Sequence, residues 1–278
     1  MSNRLVLRTA TVGDARIALI RDGELTLATA ELFPDLPSAA WAGRLPEAGD
    51  GQVTVPVHAV LVQVDGEAIL LDTGSGAAPD EGQGGALLPA LAELGLTPDD
   101  ITRVVISHTH GDHVGGLFDR AGDHVRPAFP RARHHLPRAD WDWLQGFPDE
   151  LREQYLRPLE ALPGLALDAP DDRLTPSLRS IDAAGHTPGH RCLVVESGGQ
   201  AFCYLGDLVH DPPLHFAEPD RVTAWDEQPQ RTPPSRRRVA AEAAAGNWLL
   251  TAAHAAAPAL GRLAPDGPDR WTWRPVER

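Results

Sequence analysis

The stretch "ISHTHGDHVGG", residues 106–116, sets three histidines and an aspartate within the six positions from His108 to His113. It follows the apolar, β-branched "RVVIS", which reads as a short strand. Residues two apart on extended backbone point to the same side, so His108 and His110 can reach one ion. Gly111 permits a sharp turn that returns Asp112 and His113 toward the same space. Imidazole and carboxylate are typical donors to zinc and its first-row neighbours. Four such residues at a strand end point to a metal site, and four alone can hardly complete one.

Further donors stand where other strands end. His186 lies in "DAAGHTPGH" after "LRSIDA", Asp207 closes "AFCYLGD", and His254 closes "NWLLTAAH". Strand ends gather residues remote in sequence at one rim of a rigid scaffold. Earlier in the chain "RLVLRTATV", "ARIALI", "VTVPVHAVLVQV" and "EAILLDTG" also read as strands. "GALLPALAELG" reads as a helix ended by Gly95. Residues 137–162 hold two helical stretches, "PRADWDWLQG" and "PDELREQYLRPLEAL", and a last helix falls at about 234–245. A Pro-, Gly- and Ala-rich excursion covers residues 31–52, long enough to suggest a functional loop. Strands, then mixed units, then strands again predict an α/β protein with two sheets and helices outside, in a single domain over residues 1–278.

Composition removes several functions. The formal charge of −14 repels phosphate backbones and argues against a nucleic-acid partner. The one basic run, "RRR" at 236–238, reads as a solvated helix face. All 25 basic residues are arginine, which excludes a lysine Schiff base, a Walker-type lysine and a Ser–Lys dyad. Cys192 and Cys203 sit in apolar runs and read as buried thiols. No apolar run approaches the roughly 20 residues of a membrane span. The N-terminal "MSNRLVLRTATVGDARIALI" lacks the order of a secretory signal. A soluble, cytoplasmic protein with no membrane partner is expected.

With "HTHGDH", "GHTPGH", "LGD" and the late "AAH" in order, and "LLDTG" at 70–74, the chain resembles the metallo-β-lactamase fold hydrolases. The resemblance implies a four-layer αββα sandwich with a dinuclear metal site at one edge of the sheets. It implies that His108, His110 and His186 hold one divalent ion and that Asp112, His113 and His254 hold the other, with Asp207 bridging. Zinc is the first expectation, and manganese, iron or cobalt would accept the same donors. Asp72 is expected to orient an imidazole or the turn, and His190 to support the site from behind. The chemistry implied is hydrolysis by a metal-bridging hydroxide, with Asp112 or Asp207 passing a proton to the leaving group.

Within that family the chain is most similar to the branch of methyl parathion hydrolase and the related lactonases. A small-molecule substrate follows, a lactone or aryl ester before a phosphotriester, and dimers are common in the branch. Many acyl-homoserine lactonases carry a tyrosine three residues past the bridging aspartate. Here that position is His210, a candidate catalytic residue near the substrate carbonyl. Phe33, Leu36 and Trp41 from the excursion, with Trp141, Trp143 and Phe147, are candidate pocket walls. Two alternatives stay open: a glyoxalase II-like thioesterase, which shares "GHTPGH", and a non-catalytic metal-binding or sensing protein.

Overall fold

The computed structural model describes residues 5–35, 51–77, 84–121 and 124–276. Its strands, in chain order, are β1 (Val6–Val12), β2 (Ala15–Ala28), β3 (Gln52–Val64), β4 (Glu67–Leu71), β5 (Arg103–Val105), β6 (Phe118–Ala121), β7 (His124–Pro127) and β8 (Arg133–Pro137). There follow β9 (Leu165–Asp168), β10 (Arg173–Thr175), β11 (Leu178–Asp182), β12 (Arg191–Ser197), β13 (Gln200–Tyr204), β14 (Leu249–Thr251), β15 (Gly261–Pro265) and β16 (Trp271–Pro275). One seven-stranded sheet has the order β1-β2-β3-β4-β5-β8-β9, and a second runs β10 to β16 in sequence order. Strands β6 and β7 form a separate ribbon.

The first sheet is apolar on both faces, and its alternation shows where each face goes. Ile17, Leu19, Val60, Val62, Ile69 and Leu71 pack against Leu193, Val195 and Tyr204 of the second sheet. Their neighbours Ala18, Ile20, Ala59, Leu61, Ala68 and Leu70 face the other way, into a core closed by Leu87, Leu91, Leu144 and Leu159. Those last residues lie on the helix Leu87–Glu93 and on the helical segment Arg138–Glu160. On the far side, Val239, Ala240 and Ala243 of the helix Thr232–Ala245 join the core of the second sheet. With a period of two, strands buried on both faces read as continuous apolar runs. The result is the four-layer αββα sandwich.

Strand β2 continues well past "ARIALI" to Ala28, with a register shift between Arg21 and Gly23. Strands β8 and β9, "RHHLP" and "LALD", carry no pattern that marked them in the sequence. The second helical stretch is broken in its middle, at Arg152–Leu156, by a π-helical turn. Cys192 and Cys203 are buried free thiols. Arg236 corrects the reading of the basic run as a solvated face. It is fully buried, and its guanidinium donates to the carbonyls of Leu208 and Pro219, both at 2.9 Å, so it holds the loop that follows β13. No helix among the described residues is long and apolar enough to cross a membrane.

The sheets are tied together beside the rim by a second buried guanidinium. Arg191 of β12 donates to the carbonyls of Ile106 (2.9 Å) and His135 (3.1 Å) and to the Asp168 carboxylate (2.9 Å). Burial opposes the Asp168 charge, but the imidazole of His135 and the guanidinium outweigh it and hold that carboxyl below its usual range. A carboxyl with a depressed native pKa adds stability that is complete above the unfolded value near 4 and lost as pH falls through the native one. Replacing Arg191 by Met strips the guanidinium from the Ile106 and His135 carbonyls and leaves the buried Asp168 carboxylate with the His135 ring as its remaining partner, so urea unfolding should show a loss of about 3 kcal/mol or more. The acid-side decline in wild-type stability below about pH 4 should be shallower in that variant. Equal midpoints for the two proteins would remove Arg191 from this role.

Candidate metal centre

Asp72 follows β4, His108 follows β5, His186 follows β11, Asp207 follows β13 and His254 follows β14, each within a few residues. Parallel pairing of β4 with β5 and of β13 with β14 puts these carboxyl ends on one rim. The short helix Gly111–Val114 brings Asp112 and His113 back to it. That return depends on the two glycines that follow. A Cβ on Gly115 would lie 2.0 Å from the carbonyl oxygen of Ser75, and one on Gly116 would lie 2.1 Å from that of Thr73.

Two groups of donor atoms gather there. His110 Nδ1 lies 3.1 Å from His108 Nε2 and 3.0 Å from His186 Nε2. The far nitrogens of both partners have acceptors. Ser107 Oγ donates to Asp72 Oδ2 (2.6 Å) and accepts from His108 Nδ1 (3.1 Å), and His186 Nδ1 donates to Asp226 Oδ1 (3.0 Å). With those protons placed outward, His108 Nε2 and His186 Nε2 both present lone pairs to His110 Nδ1, which can donate to one of them only. The spacing is close to the edge of about 3.3 Å expected for a tetrahedron with nitrogen ligands at roughly 2.0–2.1 Å.

The second group repeats the pattern. His113 Nδ1 donates to Asp72 Oδ2 (2.7 Å) and His254 Nδ1 to the Pro56 carbonyl (2.9 Å). Both Nε2 atoms then face carboxylates: His113 lies 3.4 Å from Asp112 and 3.3 Å from Asp207, and His254 lies 3.2 Å from each. His113 Nε2 and Asp207 Oδ1 are buried without a hydrogen-bond partner. Burial opposes charge on both imidazoles, yet the neighbouring carboxylates outweigh it. They hold His113 well above the usual imidazole range and His254 at about 10. Around His110 the balance is opposite. Burial, with His186 adding to it, pushes that ring down to about 3. Asp207 Oδ2 is also 3.4 Å from His186 Nε2, so one carboxylate touches both groups. Three imidazoles facing inward beside two carboxylates and two further imidazoles are a donor set that fits two divalent cations.

His210 stands close by, with its Nε2 3.2 Å from Asp207 Oδ2 and its Nδ1 buried without a partner. His190 accepts the Asp207 backbone N–H at its Nε2 (2.9 Å) and lies 3.2 Å from the Ala183 carbonyl through Nδ1. Two further carboxylates in the same shell had no signal in the sequence. Asp226 orients His186. Asp140, between Trp141 and the arginine side of "PRADWDW", accepts from the backbone of Thr109 (3.0 Å) and Gly189 (2.6 Å) and from the Thr187 hydroxyl (3.0 Å). It thus pins the first histidine loop to the second. Burial raises its pKa against these donors.

A cavity of about 590 Å³ opens on this centre. Leu25, Leu27, Trp143, Leu144, Phe147, Tyr155 and Trp225 line it, with Asp112, Asp207, His210 and His254 exposed to it. The Trp143 ring stands 6.3 Å from His110 and 4.8 Å from Phe147, edge to face in both cases. Two of the candidate walls lie elsewhere. Trp141 points into the core beneath the first sheet, because it falls on the opposite side of its helix from Trp143. Phe33 is fully buried among Leu32, Val53 and Val55, behind the wall formed by Leu25 and Leu27. Leu36 and Trp41, with most of the excursion, lie outside the described residues.

The family model of the metallo-beta-lactamase superfamily matches residues 53–259, and the chain belongs to that superfamily. Among curated relatives, an N-acyl homoserine lactonase of Bacillus sp is 26% identical over 161 residues, 51% of this chain and 59% of that protein. Metallo-beta-lactamase domain-containing protein 1 of Mus musculus is 40% identical over 106 residues, 37% of this chain and 36% of that protein. The chain thus spans about three fifths or less of the length of these relatives. Among solved structures, AidC, described as a dizinc quorum-quenching lactonase in complex with a product, superposes with a TM-score of 0.87 at 24% identity over 99% of both chains. The hydrolase AbOPH follows at 0.81 and 23% over 97% of both. At these identities the likeness establishes the fold.

Removing a carboxylate that orients a metal-facing imidazole commonly weakens metal affinity about 10- to 100-fold. Asp226→Ala should do so here, read as zinc uptake in competition with a chromophoric chelator. Unchanged affinity would mean that the Asp226 contact is incidental.

Proposed function

We propose that the chain is a two-metal hydrolase of ester-type bonds, with lactones as its first substrate class and aryl esters next. The observation that carries this reading is the apolar cavity opening directly onto an inward-facing set of six imidazole and carboxylate residues joined by Asp207. His108, His110 and His186 would hold one divalent ion, and Asp112, His113 and His254 the other, with Asp207 reaching both. The curated lactonase relative and the dizinc lactonase of the same fold support this assignment and make zinc the first choice. Bound there, two such ions supply Lewis acidity, lowering the pKa of water toward neutrality and stabilising negative charge on oxygen.

The chain's own residues do the rest. Leu25, Leu27, Trp143 and Phe147 take the apolar arm of the substrate and exclude water from the reacting bond. Asp112 contacts His113 and His254 through Oδ2 while facing the cavity, so it is placed to carry a proton to the leaving oxygen. His210 acts through Asp207: its Nε2–H supports Oδ2, and burial holds the ring below its ordinary pKa, keeping it neutral. A purely structural metal site is closed, whereas these donors line an open cavity, and this favours catalysis over a binding role.

Zinc-loaded protein should hydrolyse members of a panel of lactones, aryl esters and phosphotriesters, and a chelator should abolish the activity. His110→Ala and Asp207→Ala should each lower turnover by about 10²- to 10³-fold or more, with reduced zinc content. Full activity in either variant would end the proposal.

A further inference from the structure

The cavity lining carries one charged side chain that is not part of the donor set. Among the described residues that form it there is no arginine, and the chain has no lysine. Apart from the donors Asp112 and Asp207 and the histidines, the carboxylate of Glu227 and the phenol of Tyr155 are thus the only ionisable groups on its described walls. Glu227 is exposed to solvent, and none of the ion pairs found among the described residues includes it.

Its position is held firmly. The Glu227 backbone N–H donates to the carbonyl of His186 (3.0 Å), and that of Gln228 to Gly185 (2.8 Å). One residue earlier, Asp226 accepts from the His186 ring. The segment that carries Glu227 is therefore clamped to the loop of a metal-facing histidine, and Trp225 on the same segment lines the apolar wall. The backbone at Glu227 cannot shift far from the cavity without loosening His186.

We propose that Glu227 is a charge filter: it admits substrates whose remote part is neutral or cationic and disfavours those that carry a second negative group. The inference rests on the hydrolase reading above and names the class of substrate that the site takes. With divalent ions held by the donor set, the floor would favour the negative charge that develops at the bond being cleaved. Away from the floor, an anionic tail would meet a carboxylate at the open, solvent-exposed side of the cavity, where unit charges several ångströms apart change affinity by about a factor of three to ten. No basic residue on the described walls offers that tail a partner.

The test uses zinc-loaded protein and p-nitrophenyl esters of equal acyl length ending in methyl, trimethylammonium or sulfonate, the last being a poor zinc ligand. Wild-type kcat/KM should be lowest for the sulfonate. Glu227→Gln should narrow the methyl-to-sulfonate ratio about three- to tenfold, and Glu227→Asp should keep it. The wild-type ratio should shrink as salt rises, since screening acts on an exposed charge. A ratio that is the same in wild type and Glu227→Gln overturns the filter. Hydrolysis of none of these esters, together with none of the lactones and phosphotriesters of the wider panel, instead sinks the hydrolase reading. Calorimetric binding of the three matching amides then decides the filter by itself: weaker sulfonate binding that recovers in Glu227→Gln supports it, and equal affinities overturn it.

Discussion

The carboxylate of Asp72 is the constraint on which the rim depends. It is fully buried at the end of β4, with φ of +55°. It accepts from the Ser107 backbone (2.6 Å), the Ser107 hydroxyl (2.6 Å), the His113 ring (2.7 Å) and the Tyr204 hydroxyl (2.9 Å). Those donors come from the end of β5, from the short helix beyond it and from β13 of the opposite sheet. A buried carboxylate must be well supplied with hydrogen bonds, and here the supply is what joins four segments. Through Ser107 it sets the tautomer of His108, and directly it sets that of His113. One buried anion thus decides which nitrogens of two metal-facing rings carry protons.

The same logic extends around the centre. The outward ring nitrogens of His108, His113, His186 and His254 each find a carboxylate, a hydroxyl or a carbonyl, so their inward nitrogens are left as lone pairs or share a proton with Asp112 or Asp207. Lone pairs and carboxylates gathered at such distances repel one another unless positive charge lies among them. The raised pKa values of His113 and His254 express that demand in protons. The energy that keeps this set together comes from the sandwich. Arg191 locks the sheets beside the rim, and the apolar strands beneath leave the strand ends little freedom to spread.

Much of this was legible in the sequence because the relevant physics is local. Strands buried on both faces appear as unbroken apolar runs, and donors appear where those runs stop. Strands β8 and β9 were not legible, since each is too short to show a period and is made a strand by its parallel neighbours. Asp140 and Asp226 were missed for a related reason. Nothing in their own neighbourhood marks them, and their partners lie tens of residues away. Arg236 misled in the opposite sense: a basic run on an Ala-rich helix suggests solvent, yet three carbonyls of a distant loop were there to take it in.

The walls of the cavity belong to a different kind of information. A set of donors fit for metal binding admits few solutions, so its residues have recognisable types and spacings. An apolar wall admits many, and the one built here draws on Leu25 and Leu27 from the extension of β2, Tyr155 from a π-helical turn and Trp225 from an irregular segment. Of two tryptophans two residues apart, one faces the cavity and the other the core, a difference decided by how the helix Arg138–Gln145 is rotated on the sheet. That rotation is itself set in part by Asp140, which holds the helix to both histidine loops. The substrate side of the protein is therefore fixed by the same buried carboxylates that organise the metal side. A change in either would be felt by the other through a few hydrogen bonds rather than through the metal ligands themselves.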